Sequence, residues 1–456
     1  MRYDAIIIGS GQAGIPLAFA CTNKGWNVAL IERSHLGGTC INTGCTPTKT
    51  MVHRAQVAHY ARNASRWGVH ATDVGVDLKT IIAQKDRIVQ GARESHERNI
   101  GRNSNITRYR ETARFTGPHA IRAGDATLES DRIFINTGAR PRIPGIPGID
   151  SAGILTNESI MELTTVPEHL IVLGGGYIGL EFGQMFARFG SRVTIVHTGT
   201  QILPREEPEV AAELKRALEE EGIQIVLNAR TKHIAREGNT IRLALEGTDG
   251  SVPLAGSHLL VATGREPNTG DLDLEKAGIA MNPDRTVAVN ARLETSVPGI
   301  WALGDVRGGP AFTHISYNDF QIVQANVLEG GNRSTDQRIV PYCVFTDPQL
   351  GGVGMTEREA RAKGFHLKIG TVPMTRVARA RERDETAGIM KLVVNADNDR
   401  ILGASVLASE GGETVHVLYT LMLANAPYTL LKGAVYIHPT LAEGFFFLMD
   451  AVAPAE

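Results

Sequence analysis

Two of the four cysteines in this 456-residue chain lie five positions apart, in the stretch GGTCINTGCTPTK at residues 37–49. Cys40 and Cys45 have no further cysteines or histidines at ligand spacing, and a structural zinc site needs four ligands. In a reducing cytosol a close cysteine pair is more often catalytic or metal-binding than structural. Its spacing suits a helix N-terminus, where backbone N–H groups and the helix dipole stabilise a thiolate. For Cys21 and Cys343, a buried structural thiol is the simpler interpretation.

Thiol chemistry also needs a proton donor and acceptor, and the C-terminal stretch HPTLAEGF offers one. His438 lies five positions before Glu443, whose carboxylate could fix the imidazole tautomer and support the imidazolium. An isolated histidine is more often a satisfied structural residue. This one accompanies a cysteine pair, which favours a catalytic role.

Two glycine-rich units must position this chemistry. Residues 4–32 and 170–197 both read as an apolar strand, a glycine turn, a helix and a second strand. The first glycine allows a tight turn, the second lets the backbone approach a pyrophosphate, and the third lets the helix pack on the strand. Two such motifs predict two dinucleotide sites, with a purely structural role as the minor alternative. The glycines are Gly9, Gly11 and Gly14 in the first unit, and Gly174, Gly176 and Gly179 in the second.

The second strands of the two units end differently. Glu32 ends the first and can accept hydrogen bonds from the ribose hydroxyls of an adenosine, as in FAD or NAD. At the equivalent point His197 carries no carboxylate, so a 2′-phosphate would be tolerated there, and Arg192 or Arg205 could meet it. The second site is therefore expected to prefer NADPH to NADH, although Thr198 rather than an arginine directly follows the strand.

Two further stretches resemble each other, IFINTGARP at 133–141 and LLVATGREPN at 259–268. Each is an apolar strand that runs into Thr-Gly and then a proline, as expected where the chain leaves a nucleotide-binding lobe. We expect Thr137, Gly138 and Gly264 to lie against the cofactors.

A third signal is GIWALGDV at 299–306, an apolar strand that ends at Gly304 and Asp305. A carboxylate there could hold a polyol hydroxyl. Beyond residue 336 no glycine fingerprint appears, and paired strands with an amphipathic helix predict a separate α+β domain.

In order and coverage these motifs resemble the class I pyridine nucleotide–disulfide oxidoreductases, which include dihydrolipoamide dehydrogenase, glutathione reductase and mercuric reductase. The resemblance spans essentially the whole chain. GCTPTKTMV and FTDPQLGGVGMTE are most similar to the mercuric reductase-like and reactive-chlorine and copper resistance flavoprotein branch.

The resemblance implies an α/β fold with two Rossmann-like dinucleotide-binding domains followed by an α+β dimerisation domain. The expected FAD-binding domain comprises residues 1–145 and 272–335. The NAD(P)-binding domain is expected at 146–271, and the dimerisation domain at 336–456.

The resemblance also implies roles for the thiols. Cys45 would pack against the flavin as the charge-transfer thiolate, and Cys40, the more exposed member, would attack the substrate. Electrons would pass from nicotinamide to flavin and then to the Cys40–Cys45 disulfide. His438 and Glu443 would come from a second subunit, which implies an obligate homodimer with composite active sites.

Other family positions imply contacts with the cofactors. Gly38 and Thr39 would lie against FAD. Lys49 and Glu181 would form an ion pair near the flavin, although both could simply be solvated charges. Tyr177 would cover the flavin until nicotinamide displaces it, or would serve only in packing.

One departure separates this chain from well-known mercuric reductases, which carry a vicinal cysteine pair near the C-terminus. Here no cysteine follows Cys343, and the terminal motif keeps His438. The leading hypothesis is an NAD(P)H-dependent disulfide reductase for a small disulfide or thiol-reactive oxidant, with no resident metal. The alternatives are a Hg(II) or Cu(II) reductase, which would use the same cysteines on a soft ion, a dihydrolipoamide dehydrogenase, and a non-catalytic redox sensor.

Bulk composition excludes several partners. The net charge is −2 and the calculated pI about 6.7, so the chain offers no basic field for nucleic acid or acidic membranes. No stretch approaches the ~18 apolar residues of a membrane helix, and the apolar run from Ala5 ends at Gly9, too early for a signal peptide. We therefore expect a cytoplasmic protein that binds a small-molecule substrate and neither nucleic acid nor membranes.

Overall fold

The structure is a computed structural model that describes residues 1–247 and 253–455. The chain forms two compact units. The first unit comprises Met1–Met51, Lys79–Arg142 and Gly264–Arg338, and the second comprises Val52–Leu78, Ile143–Thr263 and Ile339–Glu456.

The strands of the described residues are short and predominantly apolar. In chain order they are β1 Ala5–Ile8, β2 Val28–Ile31, β3 Ile106–Tyr109, β4 Ala113–Gly117, β5 Ala120–Ala123, β6 Ala126–Glu129, β7 Ile133–Ile135, β8 Ala139–Pro141, β9 His169–Leu173, β10 Arg192–Val196, β11 Gln224–Val226, β12 Arg230–Glu237, β13 Thr240–Glu246, β14 Pro253–Gly256, β15 His258–Val261, β16 Arg265–Pro267, β17 Ile300–Ala302, β18 Pro341–Val344, β19 Gln349–Gly354, β20 Leu367–Pro373, β21 Ile389–Asn395, β22 Ile401–Ala408 and β23 Ala453–Pro454.

The helices follow the strands or lie between them. In chain order they are α1 Gly14–Asn23, α2 Gly38–Asn42, α3 Cys45–Arg62, α4 Leu78–Gly101, α5 Tyr177–Phe189, α6 Pro208–Glu220, α7 Thr313–Val323, α8 Glu357–Ala362, α9 Ala378–Glu382, α10 Gly411–Leu423, α11 Thr429–Lys432 and α12 Gly444–Asp450. No helix among the described residues is both long and apolar enough to span a bilayer.

The first unit is organised by a parallel sheet of order β17-β7-β1-β2-β3. Strand β1 is buried at every position. Ile6 and Ile8 pack in one apolar cluster, and Ala5 and Ile7 pack in another. Both faces of the sheet are therefore covered, which explains why the strands are continuous apolar runs. The unit also holds an antiparallel sheet β4-β5-β6 and the strand pair β8-β16.

The second unit contains another parallel sheet, of order β11-β10-β9-β15, with the antiparallel sheet β12-β13-β14. A six-stranded sheet, β18-β19-β22-β21-β20-β23, is antiparallel throughout. Apolar side chains of α10 and α12, among them Leu418 and Phe445, join its core. The predicted fold class, two Rossmann-like α/β sheets followed by an α+β domain, is confirmed.

The predicted three-domain division stays a prediction, and the two compact units do not follow its boundaries. Residues Val52–Leu78 belong to the second unit, whereas the sequence assigned them to the FAD-binding domain. The cause is local bonding: the Tyr60 hydroxyl donates to Glu385 at 2.6 Å, and Arg66 contacts Asp384 at 2.8 Å.

Candidate active site

The first glycine turn is closed by backbone that leaves no room for side chains. Gly9 has φ +101°, and a Cβ added there would lie 2.2 Å from the carbonyl oxygen of Asn136. A Cβ on Gly14 would lie 2.0 Å from the carbonyl oxygen of Gly9. Glycine is therefore required at both positions, as in a dinucleotide-binding turn. Gly11 and Gly38 approach each other similarly, since a Cβ on Gly38 would lie 2.7 Å from the Cα of Gly11.

Asn136 is a residue that sequence reasoning missed. Its Oδ1 accepts a hydrogen bond from the Gly14 amide at 3.0 Å, and its Nδ2 donates to the Leu303 carbonyl at 2.9 Å. The side chain is buried and so links the first glycine turn to the strand before Gly304. The available signal was a polar residue directly after the apolar strand β7.

Glu32 lies immediately after β2, with its carboxylate held in place. One oxygen accepts hydrogen bonds from the Ser10 amide at 3.0 Å and the Ser10 hydroxyl at 2.8 Å, and the other accepts from the Ser34 amide at 2.9 Å. A carboxylate offers about four lone-pair positions, so ribose hydroxyls can still bind. This geometry fits the adenosine of FAD.

The Thr137–Gly138 turn is fixed against the incoming chain at Asn268. The Thr137 hydroxyl donates to the Asn268 carbonyl at 2.9 Å, and the Asn268 side-chain amide donates to the Thr137 carbonyl at 2.8 Å. Gly138 has φ +68°, in the left-handed region that favours glycine. Gly264, with φ +117°, accepts from the Arg142 amide at 3.0 Å. These contacts show that the two Thr-Gly stretches lie where residues 137–142 cross residues 264–268.

Asp305 lies in the turn Gly304–Arg307, directly after β17. Burial raises its pKa, opposed by the charges of Arg265, 3.9 Å away, and of Arg307. The side chain is half-buried, so its carboxyl oxygens can still accept hydrogen bonds from polyol hydroxyls. With Glu32 and the glycine turn, it gives the first unit the donors and acceptors that FAD would need.

The second glycine turn reproduces the first. Gly174 has φ +118°, and an added Cβ would lie 2.3 Å from the carbonyl oxygen of Ala262. A Cβ on Gly179 would lie 2.0 Å from the carbonyl oxygen of Gly174. At Gly176, such a Cβ would meet no described atom within 4 Å beyond its two chain neighbours, which leaves space for a pyrophosphate.

His197 occupies the position equivalent to Glu32 but presents no polar atom to a ribose. Its Nδ1 accepts a weak hydrogen bond from the Gly175 amide at 3.3 Å. Its Nε2 is covered and has no hydrogen-bond partner in the described chain. Burial also lowers its pKa, which favours the neutral form. The main consequence of His197 is therefore that no negative charge lies at the end of β10.

The two candidate arginines lie in different places. Arg192 begins β10 and bonds Nδ1 of His169 at 2.9 Å, whereas His197 directly follows the other end of this strand. At ~3.3 Å per residue the two ends are roughly 16 Å apart, so proposing Arg192 as a phosphate ligand was wrong. Arg205 is exposed in the loop before α6 and stays a predicted ligand.

The cysteines lie where two helices begin. Cys40 is in the short helix α2, and Cys45 is the first residue of the 18-residue α3, as predicted. Cys45 is exposed while Cys40 is half-buried, so the expected order of exposure is reversed in the chain without its cofactor. A flavin packed on Cys45 would cover it.

The thiols have unequal environments. A hydrogen bond with Cys45, followed by burial, raises the pKa of Cys40 well above its usual range. Cys45 Sγ lies 3.1 Å from the hydroxyl of Thr313. The Thr313 hydroxyl and the first turn of α3 can both stabilise a thiolate at Cys45. Thr313 was missed by sequence reasoning.

The other two cysteines lie outside this pair. Cys21 is buried, as predicted, and burial raises its pKa to about 12. Cys343 is half-buried rather than buried, with its sulfur 3.6 Å from the Val344 carbonyl.

His438 and Glu443 form the predicted dyad. The imidazole Nδ1 lies 2.9 Å from both carboxylate oxygens, so Nε2 is the nitrogen available to a thiol. The His438 side chain is 65% exposed. Its neighbours Val435 and Ile437 are also strongly exposed, and such apolar exposure is typical of a protein–protein contact.

The remaining predicted residues have defined places. Lys49 lies on α3 in the first unit, and Thr39 is exposed on α2. In the second unit, Tyr177 begins α5, and the buried carboxylate of Glu181 accepts from the Phe345 amide at 2.9 Å. The ion pair of Lys49 with Glu181 and the flavin-covering role of Tyr177 stay predictions.

Three carboxylates gather elsewhere in the second unit. Glu207, Glu209 and Glu357 lie 3.0, 2.5 and 2.8 Å from the buried ammonium of Lys391. The lysine supplies the positive charge that this cluster requires, so the arrangement is explained as an internal ion-pair network.

Comparisons with known proteins agree with this geometry over the whole chain. Residues 3–319 match the family described as pyridine nucleotide-disulphide oxidoreductase, and residues 340–446 match its dimerisation domain. The chain is 39% identical to the probable pyridine nucleotide-disulfide oxidoreductase RclA of Escherichia coli (strain K12), over 99% of both chains. It is 36% identical to a mercuric reductase of Streptomyces lividans, over 97% of this chain and 94% of the relative.

A solved structure shows the same likeness. The Cu(II) complex of the HOCl-induced flavoprotein disulfide reductase RclA from Escherichia coli matches with a TM-score of 0.90 at 39% identity, covering 99% of each chain.

Proposed function

Because the chain belongs to the pyridine nucleotide-disulphide oxidoreductase family and is an oxidoreductase, we propose that it is an NAD(P)H-dependent disulfide reductase. Its substrate would be a small disulfide or another thiol-reactive oxidant. The observation that carries the proposal is the thiol pair itself: Cys45 is the first residue of α3, and Cys40 shares a hydrogen bond with it. The family implies FAD and a pyridine nucleotide; when bound, FAD would take hydride from NAD(P)H and reduce the pair.

The reduced thiols can pass two electrons to a disulfide by exchange. Cys40, deprotonated by a base, attacks one substrate sulfur, and the S–S bond breaks to release a thiolate that takes up one proton. Cys45 then attacks the Cys40 sulfur of the mixed disulfide. This closes the Cys40–Cys45 bond and releases the second substrate thiolate. The pair has lost two electrons, and the substrate has become one thiol and one thiolate, which takes up a proton from water to give the second thiol.

In this proposal the His438–Glu443 dyad carries out the proton transfers. With Nδ1 held by Glu443, Nε2 can take the proton of Cys40 and give it to the leaving thiolate. The histidine would come from a second copy of the chain. Support for this homodimer comes from the match to the dimerisation domain and from the exposed Val435 and Ile437 beside the dyad.

NADPH is proposed as the preferred nucleotide. A carboxylate at the end of β10 would repel a 2′-phosphate, and His197 stands there instead, neutral and covered. Arg205, exposed in the following loop, can pair with that phosphate. Without a carboxylate to bind the ribose hydroxyls, NADH would be used less well. We also propose a cytoplasmic location, because a redox pair among only four cysteines suits a reducing compartment.

Steady-state oxidation of NADPH and NADH by the FAD-loaded protein tests the proposal. The acceptors are glutathione disulfide, lipoamide, an aromatic disulfide, Cu(II), and Hg(II) with excess thiol. Cys40→Ser should abolish disulfide turnover while Cys343→Ser, a matched change at a cysteine outside the pair, leaves it intact. Disulfide turnover that survives Cys40→Ser contradicts the dithiol mechanism.

A metal-ion reductase is the second candidate, and one observation favours it. A structure with a TM-score of 0.90 to this chain is a Cu(II) complex, and a further Cu(II) complex is of a cysteine-to-serine mutant of the same Escherichia coli protein. Cysteine sulfur is a soft ligand that suits copper and mercury. Metal reduction that persists in His438→Ala, with little disulfide turnover in the unmodified protein, would place this function first.

A further inference from the structure

Helix α7 begins at the redox pair. Thr313 is its first residue, and the Thr313 hydroxyl lies 3.1 Å from Cys45 Sγ. A thiolate cannot donate a hydrogen bond, so with Cys45 ionised the hydroxyl must be the donor. Both Thr313 and Cys45 are the first residues of helices, where the dipoles favour negative charge.

The other end of the arrangement is a buried carboxylate on the same helix. Asp319 is 0% exposed and lies six residues after Thr313, about 9 Å along the helix axis. It accepts hydrogen bonds from the Gly304 amide at 2.8 Å, from Arg307 at 2.7 and 3.0 Å, and from Arg338 at 2.6 Å. Every bond ties α7 to a neighbouring segment of the first unit.

The same anchor holds the turn that carries Asp305. Gly304 has φ +73°, and a Cβ added there would lie 2.6 Å from the Ser316 hydroxyl on α7. The turn and the helix therefore cannot shift independently. Asp319 fixes the position of the thiol-contacting hydroxyl and of the predicted polyol-binding carboxyl together.

We propose that α7 is part of the thiol machinery: the Thr313 hydroxyl stabilises the Cys45 thiolate, and Asp319 is the residue that positions it. The inference rests on the proposed function, in which the Cys40–Cys45 disulfide takes two electrons from NAD(P)H and one proton to give one thiol and one thiolate. The hydroxyl decides where the negative charge rests.

The test is a pH titration of the long-wavelength thiolate–flavin absorbance in FAD-loaded protein reduced with dithiothreitol. Thr313→Val keeps the shape of the side chain and removes the hydroxyl. It should raise the pKa of Cys45 by about one unit, since hydrogen bonds to charged groups are the strong ones. Thr313→Ser should restore the wild-type titration, and Thr127→Val, the same change on an exposed strand, should leave it unmoved. Superimposable titrations of Thr313→Val and wild type overturn the proposal.

A second set of variants tests the positioning role of Asp319. Asp319→Asn should raise the same pKa and weaken FAD binding by about tenfold or more, while Asp131→Asn, an exposed carboxylate of the first unit, changes neither. If Asp319→Asn does not fold, Arg338→Lys, which keeps the charge but loses the guanidinium geometry, should shift the titration in the same direction. An unmoved titration in the folded variant refutes the positioning role.

Because dithiothreitol supplies the electrons, this result is independent of turnover. If Thr313→Val shifts the titration in a protein that reduces no disulfide, only the proposed function is refuted. If the protein reduces disulfides but Thr313→Val leaves the titration unmoved, only the inference about α7 is refuted.

Discussion

Replacing Asn136 by alanine should open the first glycine turn. The side chain makes one hydrogen bond to the Gly14 amide and one to the Leu303 carbonyl, at 3.0 and 2.9 Å. Both backbone groups would be left buried without a partner. An unsatisfied buried group costs about 1–3 kcal/mol, so two should cost on the order of 3 kcal/mol or more.

That loss should be local, because Asn136 connects the turn before α1 to the end of β17. Hydrogen exchange followed peptide by peptide measures local opening free energies. A loss of about 3 kcal/mol corresponds to roughly 100-fold faster exchange, expected in the peptides that contain α1 and β17. FAD affinity should fall in parallel, since Gly14 begins the helix at which the pyrophosphate would bind.

Asn99→Ala is the matched control. Asn99 is exposed on α4 of the same unit, so the same chemical change there should stay within about 0.5 kcal/mol. If Asn136→Ala exchanges like wild type in α1 and β17 and binds FAD equally well, the idea that this side chain holds the turn is wrong.

Three further predictions concern the second unit. Burial raises the pKa of Glu206 to about 7; since the folded state binds this proton more tightly than the unfolded state, stability should fall as pH rises from about 4.5 to 7, by on the order of 3 kcal/mol in total. Glu206→Gln, which can still accept from the Tyr342 hydroxyl, should flatten that pH dependence in thermal unfolding, and an unchanged slope would count against it. Arg205→Ala should raise the KM for NADPH about tenfold, the loss of one charge-assisted hydrogen bond, with little change for NADH; equal changes would show that Arg205 does not read the 2′-phosphate. Glu443→Gln should lower disulfide turnover about tenfold or more and leave reduction of the bound flavin by NADPH intact, and a wild-type rate would show that the carboxylate does not support His438.

The parts of the molecule that local sequence determines were predictable. Glycine spacing and a following apolar strand fix the two turns, because a Cβ at Gly9 or Gly174 would collide with a carbonyl oxygen. The start of α3 at Cys45 was likewise predictable locally, because the close spacing of the two cysteines suits a helix N-terminus. His438 and Glu443 are only five positions apart, so their spacing alone indicated the contact.

The parts that depend on distant contacts were not predictable. Asn136, Thr313 and Asp319 each act on residues far away in sequence, and nothing in their own neighbourhoods marks the partner. Arg192 shows the opposite error: five residues from His197 in sequence, it lies at the other end of an extended strand. The imidazole of His197 is covered by a loop, and the path of that loop cannot be read from the spacing of residues in the sequence.

The most direct test of the proposed function is to count the thiols that NADPH creates. FAD-loaded protein with the Cys40–Cys45 disulfide formed is reduced anaerobically by NADPH, alkylated, and analysed by mass spectrometry for each of the four cysteines. We predict new labelling at Cys40 and Cys45, none at these positions in Cys45→Ser, and no change at Cys21 or Cys343. Bleaching of the flavin by NADPH with the disulfide left intact would contradict the account, because electrons would then leave the protein without passing through the pair.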